Sequence, residues 1–157
     1  MTEGTNPDHR PATPAGTIVT AFHTERQAAW FYRMLAEMTS EDEVRDTLTT
    51  LAKDEESHAE TLLNLHFEMT GLGITTPKPV QPEGDPNLFD FQASTRREAL
   101  EFALGNEVKA VELYQKQADS ADDPRVATIF RILADTERDH AAYMRLQLER
   151  IDQEGAG

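Results

Sequence analysis

The chain has 157 residues, 38% of them apolar and 28% charged, with a formal net charge of −14 and no cysteine. That length suits one compact domain. The acidic balance argues against nucleic acid or an anionic membrane as partner, and the absence of thiols excludes disulfides, thiolate metal sites, iron–sulfur clusters and cysteine nucleophiles.

Residues 1–16, rich in Thr, Pro and Gly, read as a disordered tail. No basic-then-apolar leader and no apolar run of membrane-spanning length is seen, so a cytoplasmic location is expected. From Thr17 helix formers dominate. A first helix is predicted over Thr17–Met38. Ser40 followed by Glu43 has the spacing of a capping box and opens a second, which runs to Thr70, where Gly71 and Gly73 stop it. The stretch Leu72–Gln92 holds four prolines and reads as a long connection, with Phe89 and Phe91 expected to pin it to the helices. A third helix is predicted over Ser94–Ala118. Asp122 or Asp123, with Pro124 just inside, opens a fourth that runs to Ile151, leaving residues 153–157 as a short tail. Short links make two antiparallel hairpins, and one long link lets a crossover run the length of the bundle. The predicted fold is therefore an all-α, four-helix bundle with one crossover, occupying residues 17–152.

An internal repeat reinforces this reading. With the chain offset by 82 positions, Ala21 meets Ala103, Glu25 meets Glu107, Tyr32 meets Tyr114, Leu51 meets Leu133, Glu55 meets Glu137 and His58 meets His140. Chance would give roughly two or three identities over such a span. The first hairpin is duplicated as the second, and equivalent residues should converge on the axis between them.

Repeated alanines and leucines need only a core to explain them. Glu25, Glu55, His58, Glu107, Glu137 and His140 do not fit that account, because each sits at inward-facing helical spacing among apolar residues. A buried lone carboxylate costs several kcal/mol unless its charge is met. Two divalent cations would balance four carboxylates. Salt bridging to Arg or Lys is the competing explanation, and no basic residue recurs at the matched positions. In Glu55-Glu56-Ser57-His58 and Glu137-Arg138-Asp139-His140 the acid and the imidazole are three residues apart, one turn along one face. One such pair is weak evidence. Two in register with two isolated glutamates form the pattern of di-metal carboxylate bundles.

On these residues the chain resembles the ferritin-like superfamily, and within it the rubrerythrin-like and bacterioferritin-like di-iron proteins. The resemblance implies that Glu25 and His58 serve one iron, Glu107 and His140 the other, and that Glu55 and Glu137 bridge both, with manganese as the alternative metal. It implies second-sphere roles for Tyr32 and Tyr114, two turns after a ligand glutamate. It also implies that Asp54 orients His140. Thr136 stands at the matching place for His58, so the two sites are expected to differ in ligand strength.

Departures from these relatives narrow the reading. Ala110 stands where rubrerythrins carry an extra ligand glutamate, and no rubredoxin-like cysteine segment is present. Glu56 replaces the methionine with which bacterioferritins bind haem, so haem is not expected. No short fifth helix of the ferritin cage type is expected. Trp30 and Phe31 read as core, His66 as a bonded or solvated side chain, and Gly105 as a site of close packing. The resemblance implies a di-iron oxidoreductase that reacts Fe(II) with O2 or peroxide, as a ferroxidase or as a peroxidase with an electron donor, in a homo-oligomer. A di-iron hydroxylase of an organic substrate, a manganese catalase and a metal-free interaction bundle are the competing classes.

Overall fold

A computed structural model describes residues 13–75, 89–91 and 93–155. It contains four helices in chain order, α1 (Pro14–Met38), α2 (Asp42–Thr70), α3 (Arg96–Ser120) and α4 (Pro124–Gly155). Of the expected N-terminal tail, residues 1–12 lie outside the described residues, as do 76–88 and 92 of the expected crossover and 156–157 at the other end.

Helix boundaries follow local capping. α1 begins at Pro14, earlier than expected, because the Thr13 side chain accepts a hydrogen bond from the Gly16 N–H and proline suits the first helical turn. The expected Ser40–Glu43 box does not form. Glu41 is the N-cap residue of α2 and makes no side-chain cap bond. Instead Arg45 ties the entrance down, reaching Asp42 and the carbonyl of Thr39, each at 2.9 Å. α2 ends where Gly71 adopts a left-handed φ of 72° and its N–H bonds to the Phe67 carbonyl. A reciprocal capping box opens α3, with Thr95 accepting from the Glu98 N–H at 3.2 Å and the Glu98 carboxylate returning to the Thr95 N–H. Asp123 accepts from the Arg125 N–H at 2.9 Å and so opens α4 just before Pro124.

The helices pair as α1 with α2 and α3 with α4, and the two hairpins then face each other. Tyr32 meets Glu107 while Tyr114 meets Glu25, so α1 and α3 run antiparallel. α1 is also antiparallel to α2, its hairpin partner, which makes α2 and α3 parallel. α2 and α3 lie diagonally, without contact, and being parallel they put the start of α3 at the opposite end of the bundle from the end of α2, which at 29 residues is about 43 Å long at 1.5 Å per residue. The described end of that connection is fastened by Phe89 and Phe91, whose rings lie 5.6 and 4.8 Å from Phe31.

Two apolar clusters fill the bundle. One gathers Tyr32, Leu35, Leu48, Leu51, Leu100 and Met144, with Phe89, Phe91 and Trp30 against it. The other gathers Ile18, Phe22, Leu62, Tyr114, Phe130 and Leu133. The buried polar side chains between them include the four repeated glutamates and both repeated histidines. Gly105 is exposed, with nothing within 4 Å of the place a Cβ would take, so the close packing expected there is absent.

Candidate metal centre

Each of the four helices brings one carboxylate to the middle of the bundle, Glu25 from α1, Glu55 from α2, Glu107 from α3 and Glu137 from α4, all at most 3% exposed. α2 and α4 add His58 and His140 one turn further on, at 8% and 2%. The i, i+3 spacing puts acid and imidazole on one face, and alanines and leucines on the neighbouring turns bury that face. The structure brings together all six side chains that the sequence singled out.

The geometry has two halves. Ligand atoms of Glu25, Glu55, His58 and Glu137 lie within 4.8 Å of one another, and those of Glu55, Glu107, Glu137 and His140 form a second such group. Glu55 and Glu137 belong to both. Each histidine reaches the opposite hairpin. His58 Nδ1 is 2.9 Å from Glu137 Oε1, and His140 Nδ1 is 2.7 Å from Glu55 Oε1. The tyrosines cross in the same sense, Tyr32 donating to Glu107 and Tyr114 to Glu25. Both pairs of contacts are related by the 82-residue repeat, so the duplicated sequence has become a pseudo-twofold site.

The crowded buried groups shift one another's protonation strongly. Burial pushes Glu55 up to about 10 and Glu107 up to about 8, and neighbouring carboxylates add to the rise. Burial would lower His58, but hydrogen bonds to Glu137, Glu25 and Glu55 outweigh it and push the imidazole up to about 12. His140 rises well above its usual range for the same reason, against the same burial, through Glu107, Glu137 and Glu55. Glu137, although buried, is held far below the usual carboxylate range by hydrogen bonds from His140 and His58. Burial also raises Tyr32 and Tyr114 well above their usual values, with the neighbouring Glu107 and Glu25 as the next causes, so both hydroxyls remain protonated donors.

Two buried carboxylate oxygens, Glu55 Oε2 and Glu107 Oε2, have no hydrogen-bond partner. An unmet buried acceptor is costly, and a cation between the carboxylates would satisfy both. Oxygen and imidazole donors suit iron or manganese, and their number suits two ions. The residues therefore fit a di-metal group.

Metal binding must displace these protons. His58, His140, Glu55 and Glu107 all hold one at neutral pH, since the folded-state values lie above 7. Loading the metal-free protein with Mn(II) in weak buffer at pH 7 should acidify the solution, and apparent affinity should rise between pH 6 and 8 because the displaced protons are products of loading and become scarcer in solution as pH increases. Titration by pH electrode and calorimetry in buffers of different ionisation enthalpy measures both. Binding with no proton release would contradict the charge assignment.

Other expected residues fall outside this layer. Asp54 Oδ2 lies 3.2 Å from His140 Nε2. Thr136 does not serve His58 in return; its hydroxyl donates to the Ile132 carbonyl of its own helix at 3.1 Å. His66 is buried and its Nδ1 is 2.9 Å from the Leu72 carbonyl, so it fastens the end of α2. His23 is half-buried, its ring against Phe22. Glu56 pairs with Arg33 on the surface. Ala110 is partly buried against the second apolar cluster and supplies no ligand. The Thr95–Glu98 box, visible as T-x-x-E, escaped the sequence reading. The pairing of each histidine with a carboxylate of the other hairpin had no sequence signal beyond the repeat itself.

Comparison with known proteins gives a consistent picture. The family described as Ferritin-like domain matches residues 15–150. YhjR, an uncharacterised protein of Bacillus subtilis (strain 168), is 30% identical over 123 residues, 78% of either chain. The bacterioferritin of Rhodobacter capsulatus, solved with a metal-free dinuclear site and haem iron, superposes with a TM-score of 0.71 at 19% identity, covering 88% of this chain and 85% of that one. A dodecameric thioferritin, a bacterioferritin-related protein of Bacteroides fragilis, superposes at 0.72 and 19% identity, covering 90% and 88%. No described helix is long and apolar enough to cross a membrane.

Proposed function

The chain belongs to the ferritin-like domain family, and on that footing we propose that it is a di-iron oxidoreductase of the ferroxidase type, taking Fe(II) and O2 or hydrogen peroxide as substrates. The observation that supports this most is the pair of donor sets sharing Glu55 and Glu137, with two buried carboxylate oxygens left unmet. Bound Fe(II) would supply one electron per ion, so two ions reduce O2 with two protons to peroxide, or peroxide with two protons to water.

The protein's part is placement and exclusion. Glu25 with His58, and Glu107 with His140, would hold one ion each, and Glu55 and Glu137 would serve both. Tyr32 and Tyr114 fix the orientation of the two outer carboxylates by hydrogen bonds from the opposite hairpin. The apolar clusters on either side keep bulk water from the carboxylates, which strengthens every charge interaction among them. Protons displaced on loading leave from His58, His140, Glu55 and Glu107.

Ferroxidase chemistry is favoured over a rubrerythrin-like peroxidase by Ala110, an apolar side chain where the extra ligand glutamate would stand. The bridging carboxylates and the absence of thiols serve a manganese centre equally well, so the metal is decided by analysis of natively purified protein. A homo-oligomer is proposed as well; the similar Bacteroides fragilis protein is dodecameric.

Anaerobic titration with Fe(II) should saturate near two ions per chain, because the charge and donor sets are built for two. Admission of O2 or peroxide should then produce Fe(III) within seconds, read by ultraviolet absorbance. Saturation near one ion, or oxidation no faster than free Fe(II) in the same buffer, would overturn the proposal.

A further inference from the structure

The pseudo-twofold symmetry is kept by every candidate ligand and broken just outside them. His140 Nε2 faces the Asp54 carboxylate at 3.2 Å. The residue 82 positions after Asp54 is Thr136, and its hydroxyl is spent on the Ile132 carbonyl at 3.1 Å. His58 makes all its described polar contacts through Nδ1, to Glu137, Glu55 and Glu25 at 2.9, 3.4 and 3.6 Å. Its side chain is 11% exposed, against 2% for His140. One imidazole is therefore clamped at both nitrogens and sealed, and the other is held at one nitrogen with its far edge toward solvent.

We propose that the two halves of the centre are inequivalent. The half built on His140 is the tight, slowly exchanging position, and the half built on His58 is the port through which cations come and go. The proposal rests on the di-metal reading above. Its physical basis is the outer partner of each histidine. An accepting carboxylate fixes the ring's direction and tautomer and raises its basicity toward a metal, and losing such a partner typically weakens binding about 10–100-fold. Asp54 is 43% exposed on its side chain, so water screens part of its field. The shared ligands Glu55 and Glu137 contribute to both halves, whereas Asp54 touches one histidine alone. Asp54 is thus a positioning residue that acts through His140.

The test uses Co(II), which is redox-inert here and reports coordination by visible absorption. Wild-type protein is titrated anaerobically by calorimetry, and the loaded protein is then mixed with excess EDTA in a stopped-flow instrument. Two binding steps at least about 10-fold apart and biphasic release are expected. Asp54→Asn, close to isosteric, should weaken the tight step by about 10–100-fold and speed the slow phase, leaving the fast phase unchanged. Thr136→Asp should act on the other half, slowing the fast phase and sparing the slow one. Cooperativity through the shared glutamates could also give two steps, but it does not assign one variant to each phase. Equal steps in the wild type, or variants that move both phases together, would overturn the inequivalence. Failure of the wild type to bind Co(II), or unaltered binding in Glu55→Ala, would instead overturn the metal centre itself. Far-ultraviolet circular dichroism of the metal-free variants is expected to match wild type, since neither position is in the core.

Discussion

Glu55→Ala should abolish fast oxidation of Fe(II). Glu55 is fully buried, belongs to both donor sets and pairs with His140 at 2.7 Å, so on the proposed reading its loss would remove a ligand from both cations and a charge partner from one histidine. Loss of an outer-sphere partner alone typically costs about 10–100-fold in affinity or activity. Loss of a shared ligand should cost more than about 100-fold in the oxidation rate, or upward of roughly 2.7 kcal/mol of barrier. Glu137→Ala should behave alike, since the repeat places it in the same role. His66→Ala is the control. Its ring bonds the Leu72 carbonyl at the end of α2, remote from the six ligands, and removal should cost about 0.5–1.5 kcal/mol of stability while leaving oxidation near wild type. Stopped-flow absorbance with anaerobically loaded protein measures all three variants. A His66→Ala variant as slow as Glu55→Ala would mean that the reacting centre lies elsewhere.

A second large effect is thermal. The metal-free bundle carries four buried carboxylates with two oxygens unmet, and the unfolded chain offers no such assembled site. A ligand that binds only the folded state stabilises it by about 4 kcal/mol at a free concentration a thousand times its dissociation constant. For a domain of this size each kcal/mol moves the melting temperature by about 2–4 °C. Two Mn(II) ions at such saturation should therefore raise the midpoint by about 16–32 °C in scanning calorimetry, and EDTA should reverse the shift. Glu55→Ala should lose most of the shift. An identical shift in that variant would place the stabilising ions elsewhere on the acidic surface.

The architecture was legible because two signals agreed, helical spacing of apolar residues and a repeat that also carried polar residues. Ala21 and Ala103 show only that two helices need small side chains, whereas Glu25 and Glu107 show that both need the same unusual one. The crossover was legible from its length and prolines, and Phe89 and Phe91 were expected on the core where they are found. Helix starts were less legible. Capping depends on the backbone angles of a single residue, so Ser40 had the right partner in Glu43 and still lost the role to Glu41, one place later. Gly105 was read as a packing site and is exposed; a sequence gives no sign of which helix face meets solvent when the neighbouring residues are mixed. The inequality of the two histidines was half visible. Asp54 and Thr136 could be compared directly, but not the turn of the Thr136 hydroxyl to its own helix or the solvent-facing edge of His58.

The crossing of the Tyr32, Tyr114, His58 and His140 hydrogen bonds from one hairpin to the other has a consequence for the order of events in folding. Helices lie closer within each hairpin than across the seam between hairpins. Local contacts of that kind form early, and pairings between distant parts of the chain form late. Neither hairpin owns a complete ligand set, so a cation can be gripped only once the seam has closed. Interactions absent from the transition state act on the unfolding rate rather than on the folding rate. Bound metal should therefore work as a latch, leaving the speed of assembly almost unchanged and lengthening the lifetime of the closed bundle.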